Sequence, residues 1–429
     1  MRGNSHAYQR KFKMNSQLVL MGEINFLKKE LSLLHSLISK GFYIKIGINL
    51  KCIDNIIYDY EPEYHIPYIS HLGYKPKLHA YAFPEGIYQV SDNGYKANEI
   101  YYPQGTKNHP SQLLGTYEGW KLNVADKATE GIIPSFVLMY SMASMLLPFS
   151  DLGTLFIHLW GRSSCGKSLM LQLAGSIYGS GVDPRVDSGS MIQKWNTTAL
   201  AIQGTAEKFD GSILLLDEIG ECDDKEFQNI IYQVNGGVGK ARSSTTGVVK
   251  ETSSWSLLGV SSGEISGFKK LEQSGHTQKE GEAVRFLDIH IQNQIFPNEV
   301  DPAAFVESLK ESCSQYGGHA SRDFMSKLLA KGGSEAKLSE VVMADIDKAL
   351  GILTEGQDFN SLERRVMRHF ALVTVAGLYA VEFGILQITK EYIYRSVVNI
   401  IKIWTSHMQA NLTPSYKKML RDYIINNQS

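Results

Sequence analysis

Residues 155–168, LFIHLWGRSSCGKS, constrain the fold of this chain more than any other stretch. The apolar run Leu155–Trp160 predicts a buried strand, which leads directly into the pattern G-x-x-x-x-G-K-[ST]. Such a loop curls successive backbone N–H groups around a phosphate chain, and its glycines permit the tight turn. The following LMLQLAGSIYG predicts a helix whose N-terminus faces the anion. Together these elements predict a nucleoside triphosphate site.

The phosphate loop, defined here as residues 161–168, gives each of its side chains an expected role. Lys167 would reach the β- and γ-phosphates, and the Ser168 hydroxyl would bind Mg²⁺. The other loop residues would contact the nucleotide: Gly161, Arg162, Ser163, Ser164, Cys165 and Gly166. A glycine-rich turn without a ligand is the alternative, and the loop alone leaves kinase, transporter ATPase and GTPase open.

The composition is typical of a soluble globular protein in a reducing compartment. The chain has 429 residues, enough for two or three domains, with 43% hydrophobic and 20% charged residues. Its net charge of −1 gives no global basic field, so any nucleic-acid contact needs a local patch. Four scattered cysteines without a C-x-x-C pair argue against disulfides or structural zinc and favour the cytoplasm. The apolar stretch Ile132–Phe149 contains two prolines and predicts a buried helix, so no membrane partner is expected.

Changes in pattern along the chain predict four regions. Residues 1–40, which open on the tag-like MRGNSH, show leucines at helical spacing and predict a helical segment. Residues 41–125 are rich in Tyr and Ile broken by Gly and Pro, which predicts a small β-rich domain. Its histidines, His65, His71 and His79, fit no metal-ligand spacing. Residues 126–300 would form the ATPase core, and residues 301–429 a helical lid or C-terminal region.

A second motif, about 50 residues after the phosphate loop, has the form of a Walker B strand. The run Ser-Ile-Leu-Leu-Leu at 212–216 ends in Asp217 and Glu218. Asp217 would hold Mg²⁺ directly or through water, and Glu218 would polarise the attacking water. A strand that ends in acids at its solvent edge is the alternative. The pairing with the phosphate loop favours a hydrolase.

Between and after these motifs, the sequence predicts further elements. Residues 191–208 read as a helix, and residues 226–234 as another. A glycine-rich turn and β-branched residues then predict an inserted hairpin. Its basic residues, Lys240, Arg242 and Lys250, are candidates for contact with DNA phosphates, with a solvated surface loop as an equal alternative.

Three later residues are candidates for catalytic support. Ser262 follows a predicted strand beside the Walker B strand and could orient the hydrolytic water, the sensor-1 role. Arg285 precedes another strand and is a candidate arginine finger for a neighbouring subunit's nucleotide, with a surface salt bridge as its alternative. Arg365 begins an apolar helix in the predicted lid and is a candidate second sensor, with Arg364 and Arg368 close by.

The motifs in this order resemble those of AAA+ ATPases. More narrowly, residues of roughly 70–390 resemble the helicase-like AAA+ domain of mobile-element, prophage and staphylococcal-cassette replication proteins, a family of uncharacterised function. The resemblance rests on GRSSCGKSLMLQLAGSIYG, WNTT, LLLDEIG, the NGxGKxR turn, LLGVSSGE, EGEAVR, YGGHASRDF, RRVMRHFALVTVAGLYA and, upstream, GYKPKLHAYAFPEGIYQV and EGWK. Cys165 stands where that family usually has Thr or a small residue, and a thiol there predicts sensitivity to oxidation.

The resemblance implies an α/β protein: an AAA+ P-loop NTPase core of parallel sheet flanked by helices, a C-terminal helical lid and a small N-terminal β-rich domain. It implies an ATP- and Mg²⁺-dependent ring, expected to be a homohexamer similar to minichromosome-maintenance-type helicases. Such a ring would act on single-stranded or forked DNA, and the implied roles fall on Lys167, Ser168, Asp217, Glu218, Ser262, Arg285 and Arg365. An AAA+ ATPase that remodels or loads a protein, or acts in defence, is the main alternative. A nucleotide-gated binding module is a third, against which the Asp217–Glu218 pair argues.

Overall fold

The computed structural model describes residues 8–14, 17–22, 66–67, 72–89, 109–187, 189–239, 252, 254–273, 284–291, 295–296 and 301–412. The chain divides into two compact units. The first comprises Met1–Ser70 with Gly94–Gln104, and the second comprises His71–Asn93 with Gly105–Ser429. Residues 71–93 of the region expected to be β-rich and the C-terminal helices belong to the same unit as the core.

The first unit contains a small antiparallel sheet. Strand β1 (Tyr8–Met14) pairs with β2 (Gln17–Gly22) and with β3 (Ile66–Pro67), in the order β2-β1-β3. The helix expected over residues 1–40 is therefore wrong for its described part. The run QLVLMG pairs with β1 as a strand, and cross-strand pairing overrides a weak helical pattern. The leucines that suggested a helix lie at 27–38, outside the described residues.

A second small sheet belongs to the larger unit and has the short strands that the sequence predicts. It consists of β4 (Gly73–Lys75), β5 (Ala80–Phe83) and β6 (Gly86–Gln89), all antiparallel. Its aromatic residues attach it to the core: the Tyr81 hydroxyl donates to the carbonyl of Gly211, and the Tyr74 ring lies 4.6 Å from that of Phe149.

The core is a five-stranded parallel sheet flanked by helices, which confirms the α/β prediction. Its strands are β7 (Leu155–Trp160), β8 (Ile192–Lys194), β9 (Ile213–Asp217), β10 (Leu258–Gly263) and β11 (Phe286–His290). The spatial order is β11-β7-β10-β9-β8, so β10 lies between the strand before the phosphate loop and the strand that ends in Asp217. Because parallel strands end at the same edge, the phosphate loop and both acidic residues emerge together.

The helices of the core follow most of the sequence predictions. They are α1 (Tyr117–Trp120), which runs through a π-helical turn (Lys121–Ala125) into α2 (Asp126–Ala128), then α3 (Ile132–Ala143), α4 (Lys167–Tyr178), α5 (Ala199–Lys208), α6 (Asp224–Asn235) and α7 (Gly267–Gln273). The continuous helix expected over 191–208 is wrong. Residues 192–194 form β8, and α5 begins only after Thr198, whose side chain accepts a hydrogen bond from the Ala201 N–H at 3.2 Å.

The apolar stretch Ile132–Phe149 is a core element. It is the one segment of the described chain that is long and apolar enough to cross a membrane, yet 83% of it is buried inside the protein. Helix α3 gives way to a 3₁₀ segment at Ser144–Phe149, which contains Pro148. The Tyr140 hydroxyl donates to the carbonyl of Leu155 at 2.8 Å, which fixes the stretch against the sheet.

The C-terminal region is helical, as predicted, and it packs on the core. Its helices are α8 (Pro302–Gln315), α9 (His319–Gly332), α10 (Glu335–Thr354), α11 (Ser361–Glu382) and α12 (Lys390–Leu412). Helices α11 and α12 both contact α3, and α12 also covers β11. Phe370 and Trp404 are buried with their rings 5.9 Å apart. This shared apolar packing makes the region part of one compact unit with the core.

Candidate functional site

The phosphate loop joins β7 to α4 and has the backbone of an anion cradle. Ser164 (φ 62°) and Gly166 (φ 91°) both adopt left-handed conformations. The positive φ of Gly166 favours glycine, and a Cβ there would also displace the Ile295 side chain, whose Cδ1 would lie 1.9 Å away. Left-handed residues within such a loop turn successive N–H groups toward one point. The loop therefore has the backbone conformation that an anion-binding loop needs, as the sequence predicted.

Lys167 lies at the start of α4 and spans its own loop. Its Nζ donates to the carbonyl oxygens of Gly161 at 2.9 Å and Arg162 at 2.7 Å. Ser168 is exposed on the next position of the helix. The Cys165 side chain is only 4% exposed. Since oxidation follows solvent access, this burial weakens the expectation that the thiol makes the protein oxidation-sensitive.

Asp217, Glu218 and Ser262 are held together by hydrogen bonds. The Ser262 hydroxyl donates to Oδ1 of Asp217 at 2.6 Å and accepts from the Glu218 backbone N–H at 3.2 Å. Ser262 is 1% exposed, so these bonds are shielded from water. The structure thus places Ser262 beside Asp217 and Glu218, which is the geometry that the expected sensor role requires.

Glu218 has an uncommon backbone conformation. Its φ of 61° and ψ of 81° place a non-glycine residue in the left-handed region, which costs free energy and is typical of functional sites. Its Oε1 accepts from the Gly220 N–H at 3.2 Å. This bond orients the carboxylate at the mouth of the cleft.

Lys194, which the sequence analysis missed, completes the charged edge of the site. The register of β8 and β9 places it directly opposite Asp217. Its Nζ lies 3.4 Å from Oδ2 of Asp217 and 3.4 Å from Oε1 of Glu221. Burial disfavours its charge, but the two carboxylates outweigh burial and raise the pKa of Lys194 above its usual value. The sequence did not reveal the pairing of Lys194 with Asp217, because residues 191–208 were interpreted as one helix.

These groups open onto one cleft of about 760 Å³, called here the nucleotide cleft. This volume is within the range of small-molecule sites. The phosphate loop, Asp217, Glu218 and Ser262 line it. So does an apolar wall that the sequence analysis did not identify: Ile295, Phe296, Pro302, Ala303 and Val306. Polar and charged residues complete the lining: Arg185, Lys194, Glu221, Glu264, Glu307 and Lys310.

The donor set of the cleft fits a magnesium ion that is shared with phosphates. Asp217 and Ser168 offer hard oxygen ligands, which Mg²⁺ prefers. Within the described ranges, no group of three or more His, Cys, Asp or Glu side chains forms a protein-only metal site. A metal at Asp217 would therefore complete its coordination with phosphate oxygens and water, as Mg²⁺ does in many phosphoryl-transfer sites.

The two candidate arginines lie away from the cleft of their own chain. Arg285 precedes β11 at the amino end of the sheet, where its carbonyl accepts from the Phe156 N–H at 3.1 Å. Its guanidinium lies over the Tyr232 ring, 5.5 Å from the centroid. Arg365 is exposed on α11, and one turn later His369 bonds the carbonyl of Gly153, just before β7. One chain alone does not bring these arginines to its phosphate loop.

Of the residues near Arg365, Arg368 has a structural role. Its guanidinium donates to Asp347 and Asp151 at 3.0 Å each. Arg364 donates to the carbonyl of Phe359 at 3.0 Å, within its own helix entry.

The basic loop, residues 240–250, contains the candidate DNA contacts Lys240, Arg242 and Lys250, which lie outside the described residues. Its two flanks are described and are paired with each other. Val238 and Ser254 form an antiparallel bridge, and the Trp255 N–H donates to the carbonyl of Gly237 at 2.9 Å. The excursion between α6 and β10 is therefore closed at its base, as a hairpin insertion requires.

Arg322 is a second residue whose importance the sequence did not reveal. It is 5% exposed, and its Nε and Nη2 donate to the two carboxylate oxygens of Glu85 at 2.8 Å each. Its Nη1 also donates to the carbonyl of Tyr178, the last residue of α4, at 2.6 Å. Arg322 thus connects the β5–β6 turn, α4 and α9.

Comparison with known proteins identifies one matching family and a structural neighbour. A family model described as a domain of unknown function (DUF927) matches residues 7–254. This range begins earlier and ends earlier than the resemblance over 70–390. No curated protein matches the chain.

Among solved structures, the chain is similar to one titled "SCCmec type IV Cch - active helicase". The two share 18% identity with a TM-score of 0.65, over 97% of this chain and 73% of that one. At this identity the likeness shows a shared fold. The apo structure of the NrS-1 C-terminal region also matches, with 12% identity over 90% of this chain and 87% of that one, but its TM-score of 0.25 supports no argument.

Proposed function

This chain belongs to the DUF927 family, which is defined without a function, and we propose that it is an ATP-dependent DNA helicase or translocase of a mobile genetic element or phage. One observation carries the proposal. The phosphate loop, the acids Asp217 and Glu218, and Ser262 meet in a single cleft at the carboxyl edge of a parallel sheet. Such an edge is where open α/β sheets bind ligands.

Each group in the cleft has a role in ATP hydrolysis. The loop N–H groups and Lys167 hold the phosphates, and the apolar wall packs against the base. Asp217 and Ser168 would hold Mg²⁺, which would neutralise charge on the phosphates. Glu218 orients and polarises the attacking water, while Ser262 fixes Asp217 and the Glu218 backbone relative to each other.

The location of the arginines supports a ring of AAA+ type, expected to be a hexamer. Arg285 and Arg365 lie near the amino end of the sheet, whereas the nucleotide cleft lies at the carboxyl edge. We propose a head-to-tail ring in which the face that carries Arg285 and Arg365 lies against a neighbour's cleft, so that both arginines would act across the interface. Arg285 then serves as an arginine finger in trans.

Two observations favour DNA as the partner. The fold is shared with a protein titled an active helicase, and the basic residues lie in a segment whose two flanks, Val238 and Ser254, are paired with each other. Lys240, Arg242 and Lys250 contact phosphates in this proposal. An ATPase that acts on a protein partner is the second candidate, and the net charge of −1 leaves it open.

The test is strand displacement on forked DNA with ATP, run beside ATPase assays with and without single-stranded DNA. We expect displacement by the wild type and none by Lys167→Ala. Charge reversal at both Lys240 and Arg242 is expected to remove DNA stimulation while basal hydrolysis persists. Hydrolysis that DNA never stimulates, without displacement, would favour the protein-remodelling alternative.

A further inference from the structure

We propose that Lys194 is an internal competitor of Mg²⁺: its ammonium pairs with both Asp217 and Glu221, and it keeps only Glu221 when the metal binds Asp217. The inference rests on the proposed function, because it concerns the same cleft. It makes Lys194 a positioning residue that sets how much Mg²⁺ the site requires.

Both oxygens of the Asp217 carboxylate already have partners. Ser262 donates to Oδ1 at 2.6 Å, and the Lys194 Nζ lies 3.4 Å from Oδ2. The Ser262 side chain is 1% exposed and its hydroxyl also accepts from the Glu218 N–H, so its bond to Asp217 is the costlier of the two to break. The Lys194 side chain is 33% exposed, and a partly solvated ion pair exchanges at low cost. A metal that binds Asp217 therefore displaces Lys194 rather than Ser262.

A second acid already shares the ammonium and would keep it when Asp217 binds the metal. Oε1 of Glu221 lies 3.4 Å from the Lys194 Nζ, the same distance as Oδ2 of Asp217. The Glu221 side chain is 43% exposed and sits one short 3₁₀ turn beyond Glu218. Lys194 can thus lose one partner and keep the other, so its charge remains beside the phosphates.

The backbone keeps Lys194 at this position. Its neighbour Trp195 is fully buried, and the indole Nε1 donates to Ser261 at 2.8 Å. The Trp195 N–H donates to the carbonyl of Asp217 at 3.2 Å. These bonds fix the end of β8 against the end of β9, so only the flexible lysine side chain moves when a cation arrives.

The experiment is a Mg²⁺ titration of the binding of a fluorescent ATP analogue, which needs no turnover. For Lys194→Met we expect the Mg²⁺ midpoint to fall about two- to fivefold, the range of a partly exposed ion pair. Lys194→Arg keeps the cation and should stay near the wild-type midpoint. The difference between wild type and Lys194→Met should shrink at high salt, because screening weakens the competing ion pair.

Arg185→Gln is the matched control. Arg185 also lines the nucleotide cleft, but its guanidinium pairs with Asp183 at 2.5 Å and does not contact Asp217. An equal fall in midpoint for both variants would mean general electrostatics and would overturn direct competition. An unchanged or higher midpoint for Lys194→Met would also overturn it. Failure of the wild type to bind the analogue at any Mg²⁺ concentration would instead contradict the proposed nucleotide site itself.

Discussion

At the scale of single residues, Ser262 fixes the positions of the two acidic residues of the site, Asp217 and Glu218. Its hydroxyl serves Asp217 and Glu218 at once, and it is shielded from water at 1% exposure. Groups that orient a metal-binding or catalytic side chain in this way typically affect activity by about 10- to 100-fold.

We therefore expect Ser262→Ala to lower ATP turnover by about 10- to 100-fold while nucleotide affinity stays near wild type. Steady-state ATPase kinetics and analogue binding measure the two quantities. Ser262→Thr keeps a hydroxyl and should recover part of the rate. An alanine variant with normal turnover would show that the hydrogen bonds are only structural.

Gly166→Ala should weaken nucleotide binding by about 5- to 150-fold, because a side chain on this left-handed backbone costs roughly 1–3 kcal/mol. The new Cβ would also displace the Ile295 side chain, whose Cδ1 would lie 1.9 Å away. Gly153→Ala is the control, since nothing lies within 4 Å of a Cβ at that position. Analogue binding and thermal melting of both variants separate loss of the site from loss of the fold.

The site residues that the sequence predicted lie in local motifs, whereas the site residue that it missed depends on a contact between segments distant in sequence. Lys167, Asp217 and Glu218 lie in local patterns whose spacing alone predicts a strand that ends in a functional loop. Lys194 acquires its partner only through the register of β8 with β9, two strands separated in sequence. No local periodicity encodes that register, because β8 is three residues long.

At the scale of elements, the parallel strands β7 and β9 and the C-terminal helices could be predicted, because each carries a long apolar or periodic signal. The helix expected over 191–208 failed where a three-residue strand preceded a capped helix. The packing of the C-terminal helices on the core could not be predicted for a different reason. A local sequence pattern predicts that a helix forms, but the surface on which α11 and α12 pack is determined by residues distant in sequence.

Arg322 shows how such long-range packing stabilises the fold. We expect Arg322→Met to destabilise the protein by at least about 2 kcal/mol, because buried carbonyl acceptors and Glu85 lose their donor. Denaturant unfolding measures the loss, and Arg395→Met, at an exposed position on α12, is the control. Equal stability of the two variants would contradict the role assigned to Arg322.

Substitution of two exposed helical glycines is expected to stabilise the protein. Gly204 in α5 and Gly351 in α10 have nothing within 4 Å of the position that an alanine Cβ would take, so alanine adds helix propensity without a clash. Each Gly→Ala change is expected to stabilise by about 0.5–1 kcal/mol. Thermal melting of the single and double variants checks both the sign and the additivity.

At the scale of the whole molecule, the proposal concerns how copies cooperate. Arg285→Ala should lower turnover by about 1000-fold or more while nucleotide binding persists, as expected for a missing arginine finger. Mixing it with Lys167→Ala protein should restore partial activity, because each variant supplies what its neighbour lacks. Mass measurement with and without nucleotide must accompany the assay, and intact assemblies without rescue would place Arg285 within its own subunit.

Strand β10 has a mechanical consequence that follows from its central place in the sheet. Just before the strand, the Trp255 N–H donates to the carbonyl of Gly237 and so pairs the two flanks of the basic loop. At the end of the strand, the Ser262 hydroxyl donates to Asp217. From Leu258 to Ser262 the strand is only about 13 Å long and is hydrogen-bonded to β7 on one side and β9 on the other, so we expect it to bend little. In the proposed function, force on DNA held by the basic loop would reach the Ser262 hydroxyl along this strand, and the load would therefore change the alignment of Asp217 and Glu218.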